Sequence, residues 1–215
     1  MQEFDTDIII KIQNGDINSF RGIVDKYKDK AFSLTAKILK NNWEAEDSLQ
    51  DAFIKLYKSV IEKKYEGKAK FSTYFYTIVY NTAIDHYRKY TTKNFSITSI
   101  DVTDSNYKEG DELLKSFNQN TEDVKLYIED LNLDTEKNVL SAELQKIVNT
   151  YINSIPVHYS LILNMFFINE LSHNEISGIL NLPIGTIKNR IFRAKDKLKE
   201  ILLKKYSEEE LLEYI

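Results

Sequence analysis

Asn189 and Arg193 stand one helical turn apart, with Lys188, Arg190 and Phe192 beside them and Thr186 just before. Asparagine and arginine grip base edges with paired hydrogen bonds, phenylalanine suits a thymine methyl, and lysine and arginine neutralise phosphates. The chemistry offered there is non-covalent reading of duplex DNA. A second group, Asp47, Gln50, Asp51 and Lys55, shares one helical face through its three- and four-residue steps. Covalent chemistry has no equivalent group. The chain holds no cysteine, which removes disulfides, thiol catalysis and cysteine-bound zinc together. His86, His158 and His173 are scattered without HxxxH spacing, so no metal site is expected. There is no nucleophile–base pair and no phosphate-binding loop, so neither enzyme nor cofactor is expected.

The elements that must carry these groups are helices. Six glycines and two prolines in 215 residues fall well below the usual ~7% and ~5%, and a sheet protein needs more turns than that. Apolar residues at 42% suffice for a buried core. The pattern predicts a short helix capped by Asp5 or Thr6 and running to about Asn14, broken by Gly15-Asp16. A helix from Ile17 to Lys40 follows, then one from Trp43 to Lys63 that buries Leu49, Ala52, Phe53, Leu56 and Val60. After a polar loop, an aromatic helix spans Ser72 to Lys89.

From Thr91 to about Leu140 the periodicity loosens, and a connection that long separates domains. Beyond it, helices are expected over Ser141–Asn153 and Val157–Ile168. Ser172 and Glu175 then form a capping box for a short helix ending near Leu180. Asn181-Leu182-Pro183 is a tight turn, with asparagine tolerant of a left-handed backbone. A long helix continues from Ile184 to about Tyr206. Short helix, turn and long helix make a helix-turn-helix. On the last helix Ile184, Ile187, Ile191, Ala194 and Leu198 occupy one arc, which turns Asn189, Phe192 and Arg193 outward and puts Thr186, Lys188 and Arg190 on the flanks.

Net charge is −4, which alone argues against nucleic acid, but its distribution reverses the argument. Residues 1–95 hold 16 basic and 13 acidic side chains, 96–140 hold 4 and 11, 141–206 hold 9 and 5, and 207–215 hold 0 and 4. Two basic blocks are thus separated by an acidic segment and followed by an acidic tail. Three of the four arginines, Arg88, Arg190 and Arg193, fall in the expected nucleic-acid contacts.

Four stretches, in order, resemble the extracytoplasmic-function (ECF) sigma factors of bacterial RNA polymerase. Gly15–Phe20 (GDINSF) fits the turn before the second helix. Ala45–Tyr57 (AEDSLQDAFIKLY) resembles the core-polymerase-binding helix. Tyr74–Arg88 (YFYTIVYNTAIDHYR) resembles the helix that melts and reads the −10 element. Gly185–Lys195 (GTIKNRIFRAK) resembles the −35 recognition helix.

The resemblance implies an all-α chain of two small helical domains. These are a polymerase-binding and −10 domain at 1–92 and a helix-turn-helix −35 domain with an acidic tail at 139–215, joined by a flexible acidic linker at 93–138. It places Asp47, Gln50 and Asp51 against the clamp helices of the β′ subunit. It assigns −10 melting to Lys68, Lys70, Phe71, Tyr74, Asn81 and Arg88. Unstacked bases need that mix of aromatic platforms, hydrogen-bonding edges and cations. The −35 contacts are Thr186, Lys188, Asn189, Arg190, Phe192 and Arg193. Thr77 and Tyr80 stand where the family commonly has arginine, Tyr74 where it has tryptophan and Phe192 where it has histidine.

The implied partners are core RNA polymerase (β′ clamp helices and β subunit), promoter DNA and an anti-sigma factor, with the free protein a cytoplasmic monomer. Met1–Asp7 carries three acids and no base, so no signal peptide is expected, and no apolar run approaches the ~18 residues of a membrane span. Two other readings fit part of the pattern. A conventional helix-turn-helix regulator with an N-terminal sensing domain lacks a use for Ala45–Tyr57, and a helical adaptor lacks one for Asn189 and Arg193.

Overall fold

The computed structural model describes residues 2–97 and 150–207, which form seven α-helices and no strand among the described residues. They divide between two compact units. Residues 98–138 of the acidic linker, the expected helix from Ser141 as far as 149, and 208–215 of the acidic tail lie outside the described residues. The aromatic helix expected to end at Lys89 runs on to Ile97, into the first residues assigned to the linker.

The N-terminal unit is α1 (Gln2–Gln13), α2 (Phe20–Leu39), α3 (Asn42–Ile61) and α4 (Phe71–Ile97), with α2, α3 and α4 packed on one another. The expected cap at Asp5 does not form, because α1 already begins at Gln2. Asp5 is instead buried, where its carboxylate accepts the Tyr27 hydroxyl at 2.8 Å and pairs with Lys26. Two partners satisfy a carboxylate that would otherwise be costly to bury.

A 3-10 turn at Ile17–Ser19 delays α2 to Phe20, and Gly15 at φ +99° supplies the left-handed bend before it. Lys40 ends α2 in a left-handed conformation. Asn41 starts α3 at once, its side chain accepting from the backbone of Trp43 at 2.9 Å and of Glu44 at 3.3 Å. The core is aromatic. Tyr27 meets Phe71, Phe75 and Tyr76 edge-on, and Phe75 stacks on Phe53 with ring centres 5.1 Å apart.

The C-terminal unit begins with a 3-10 turn at Ile152–Ser154, then α5 (Val157–Leu163). The expected helix to Ile168 is present, but its last stretch, Asn164–Ile168, widens to π geometry. Helix α6 (His173–Leu180) opens on the expected capping box of Ser172 and Glu175 and closes on Asn181 at φ 53°, ψ 44°. Helix α7 (Ile184–Leu202) completes the helix-turn-helix. Its core is aliphatic: Ile152, Ile155 and Leu163 meet Ala194, Leu198 and Leu202.

Candidate polymerase- and promoter-binding sites

Helix α3 is amphipathic in a way that isolates its polar face. Ala45, Ser48, Leu49, Ala52 and Leu56 are buried, while Asp47, Gln50 and Asp51 are exposed. The three expected docking residues therefore share one open face. Trp43 and Ile54, at 71% and 51% exposure, lie on the same stripe, since positions 43, 47, 50 and 54 follow 4-3-4 steps. Sequence reasoning passed over both, although that spacing, and the chain's single tryptophan, mark the stripe.

The face is tied to α4. His86 Nε2 donates to Asp51 Oδ2 at 2.9 Å, and its other ring nitrogen lies 3.8 Å from Asp47 Oδ2. One turn away, Lys55 Nζ donates to Thr82 Oγ1 at 3.1 Å.

Along α4, Tyr74, Asn81 and Arg88 recur at seven-residue steps and so share one stripe, each ~10 Å from the next at ~1.5 Å per residue. Asn81 and Arg88 are exposed and Tyr74 half-buried. Lys68 and Lys70 are exposed on the preceding loop, with Lys68 ion-paired to Glu66. Phe71 departs from expectation. It is buried at 4% exposure, its ring edge-on to Tyr27, so it is core and offers no open platform to a base. Tyr65, half-buried on the loop, lies beside it: its ring is 5.7 Å from Phe71 and 5.1 Å from Tyr74, and its hydroxyl donates to the Ala69 carbonyl at 2.8 Å. Burial raises its phenol above the ordinary range. Thr77, where the family commonly has arginine, donates its hydroxyl to the Thr73 carbonyl at 2.7 Å.

On α7, Phe192 and Arg193 are exposed, and Lys188 and Asn189 half-buried. Thr186 and Arg190 are not on an open flank. Both are buried, at 8% and 7% exposure, because the inward arc of α7 is wider than its aliphatic residues and extends past Ile187 and Ala194 to take them in. Ile184, expected inside, is 40% exposed at the helix start. Lys188 and Lys195 gather near His173, and burial first, then these two cations, hold its imidazole below the ordinary 6.5. Lys195 itself sits over the Phe166 and Phe167 rings, 5.2 and 5.6 Å from their centres.

The comparisons with known proteins divide along the same line. Sigma-70 region 2 matches residues 23–92, and Sigma-70, region 4 matches residues 145–198. The ECF RNA polymerase sigma factor SigW of Bacillus subtilis is 34% identical over 196 residues, 90% of this chain and 94% of the relative. The RNA polymerase sigma-H factor of Pseudomonas aeruginosa is 29% identical over 94% of this chain and 95% of its own. Among solved structures, CnrH in complex with the cytosolic domain of CnrY shares the fold at a TM-score of 0.57 and 14% identity, over 94% of this chain and 99% of that one. The sigma factor RpoE in complex with the anti-sigma factor NepR from Bartonella quintana does so at 0.51 and 18%, over 88% and 100%.

Proposed function

The chain belongs to the ECF sigma factors of RNA polymerase, and from that premise we infer how its two units divide the work of starting transcription. It is a sigma factor: it binds core polymerase and directs initiation at the promoters it recognises. We assign polymerase docking and −10 opening to residues 1–92 and −35 recognition to 139–215, with 93–138 as the connection. Asp47, Gln50 and Asp51 engage the β′ clamp helices, and Trp43 and Ile54 add apolar area on the same stripe. Tyr74, Asn81 and Arg88, with Tyr65, Lys68 and Lys70 at the loop end, receive unpaired bases and their phosphates. Phe192, Arg193, Asn189 and Lys188 meet the −35 duplex.

The chain carries out no bond-making step and needs no cofactor; polymerase supplies the catalysis. Among the described residues no helix is long and apolar enough to cross a membrane, and the reading places the protein in the cytoplasm, monomeric when free. An anti-sigma factor is part of it, by analogy with the RpoE and NepR pair.

The observation that carries the reading is one chain presenting an exposed acidic stripe on α3 and, after the linker, an open Phe192–Arg193 face on α7 with Asn189 half-buried beside it. Run-off transcription with core polymerase on a promoter library tests it. Transcripts that depend on the protein and share −35 and −10 sequences are expected, and Asp51→Lys should abolish them, since charge reversal at an interface costs several kcal/mol. Asn81→Ala should reduce permanganate-reactive thymines more than duplex binding. Sequence-specific duplex binding with no protein-dependent transcript would overturn the reading.

A further inference from the structure

We propose that His86, on α4, is a positioning residue for polymerase docking: it holds the Asp51 carboxylate of α3 in its docking geometry. The proposal rests on the assignment of Asp51 to the polymerase interface. An Asp51 carboxylate has lone pairs and no proton to give, so the 2.9 Å contact requires the proton on Nε2 of His86. The imidazole side chain is only 11% exposed, whereas the Asp51 side chain is 51% exposed. A largely buried ring therefore grips one oxygen of a carboxylate that is half exposed.

Asp47, one turn earlier on the same face, lies on the other side of the ring, 3.8 Å from Nδ1. A second rung, Lys55 to Thr82, fixes the two helices against each other one turn along each. An exposed aspartate without such a partner samples several rotamers, and docking must then select one. Pre-set by His86, it meets a cationic partner with less ordering cost. The same contact joins the helix assigned to polymerase with the helix assigned to the −10 element.

The test measures affinity of the full-length protein for core polymerase, with thermal melting alongside. His86→Leu fills the same volume without a donor, and His86→Gln places an amide N–H near the position of Nε2. His86→Leu should weaken binding about three- to tenfold, the scale of freeing one interface side chain. His86→Gln should restore most of the loss, and the melting temperature of the two variants should agree. In an Asp51→Asn background, His86→Leu should weaken binding no further than about twofold. If Asp51→Asn weakens binding and His86→Leu does not, or if their effects add in full, His86 has no positioning role. If Asp51→Asn itself binds as tightly as the wild type, the assignment of Asp51 to the interface fails and the proposal falls with it. If His86→Leu lowers the melting temperature and His86→Gln fails to restore binding, the role is structural and the proposal is overturned.

Discussion

The two units bury different kinds of side chain, and the difference decides which residues are left to meet a ligand. In the N-terminal unit the rings are inside: Tyr27, Phe71, Phe75 and Tyr76 form one cluster, braced by Phe53. In the C-terminal unit the inside is aliphatic and the rings form a rim beneath lysines. Lys195 lies over Phe166 and Phe167, Lys197 over Tyr159, and Lys205 over Tyr151, at 5.1 to 5.9 Å. An aromatic-rich helix such as α4 thus offers fewer open rings than its composition promises: Phe71, Phe75 and Tyr76 are buried, while Tyr74 is half-buried beside Tyr65 of the preceding loop. A lysine-rich helix such as α7 likewise has some of its cations already engaged.

The largest expected effect tests the cores directly. Phe75 is fully buried against the rings of Tyr27, Phe53 and Tyr76, so Phe75→Ala should cost about 3–5 kcal/mol, the range for emptying a phenylalanine site in a packed core. Phe166 is half-buried between His173 and Lys195, and Phe166→Ala should cost about 1 kcal/mol. Urea unfolding of the full-length variants measures both. Equal losses would break the contrast between an aromatic core and an aromatic rim.

The next effect sharpens the reading face of α7. Arg193→Ala should cost ~1–3 kcal/mol and relax preference at particular −35 positions, as should Asn189→Ala. Arg190→Ala should leave base preference unchanged and lower the melting temperature instead, because Arg190 is buried. Binding selection on a randomised −35 element, paired with melting curves, separates them. A change of preference in Arg190→Ala would rotate the assigned face.

Much of this was legible because local rules and packing agree. The capping box at Ser172, the left-handed Asn181 and the Leu49–Ala52–Leu56 stripe follow from residue type and period alone, and all three are present. The expectations that failed concern residues whose type is ambiguous. Phe71 serves equally as a platform or as core, and only the position of Tyr27 across the bundle decides. Arg190 is polar by type, yet the inward arc of α7 exceeds its aliphatic residues, and no one-dimensional pattern reports that width. Asp51–His86 joins positions 35 apart in sequence, which no spacing rule on a single helix reaches.

A smaller effect compares the units by pH. The Lys37 ammonium nitrogen is buried with no hydrogen-bond partner among the described residues, and burial pulls its pKa from 10.5 down to about 8. The unfolded chain then holds more protons than the folded one between about pH 8 and 10.5, so stability from this group rises across that window. Lys37→Met should gain about 1 kcal/mol at pH 7, discounted for the part of the side chain that remains in water, and should flatten that rise. His173 has the same sign in a lower window: its pKa lies below 6.5 when folded, so its contribution is lost as pH falls from 6.5 through the folded value. Replacing His173 by glutamine should flatten the acid side of the stability profile and leave the alkaline side untouched. Chemical denaturation at a series of pH values reads both.

The smallest expected effect separates two lysines of one helix. Lys188 lies near the start of α7, half-buried, close enough to His173 to depress it, and no ring holds its ammonium among the contacts of the described residues. Lys195 is two turns on, over Phe166 and Phe167, and burial lowers its pKa. A phosphate contact releases a condensed counterion, so each lost contact lowers the slope of log K against log salt by roughly one unit. Lys188→Ala should produce that change and weaken all −35 sequences alike. Lys195→Ala should change the slope by less than about half a unit, because an ammonium held over two rings must leave them to reach a phosphate. Binding isotherms at four salt concentrations resolve the two slopes. Equal slopes for both variants would mean that the aromatic rim does not restrain the cations above it, and the contrast between the units would then hold for their cores alone.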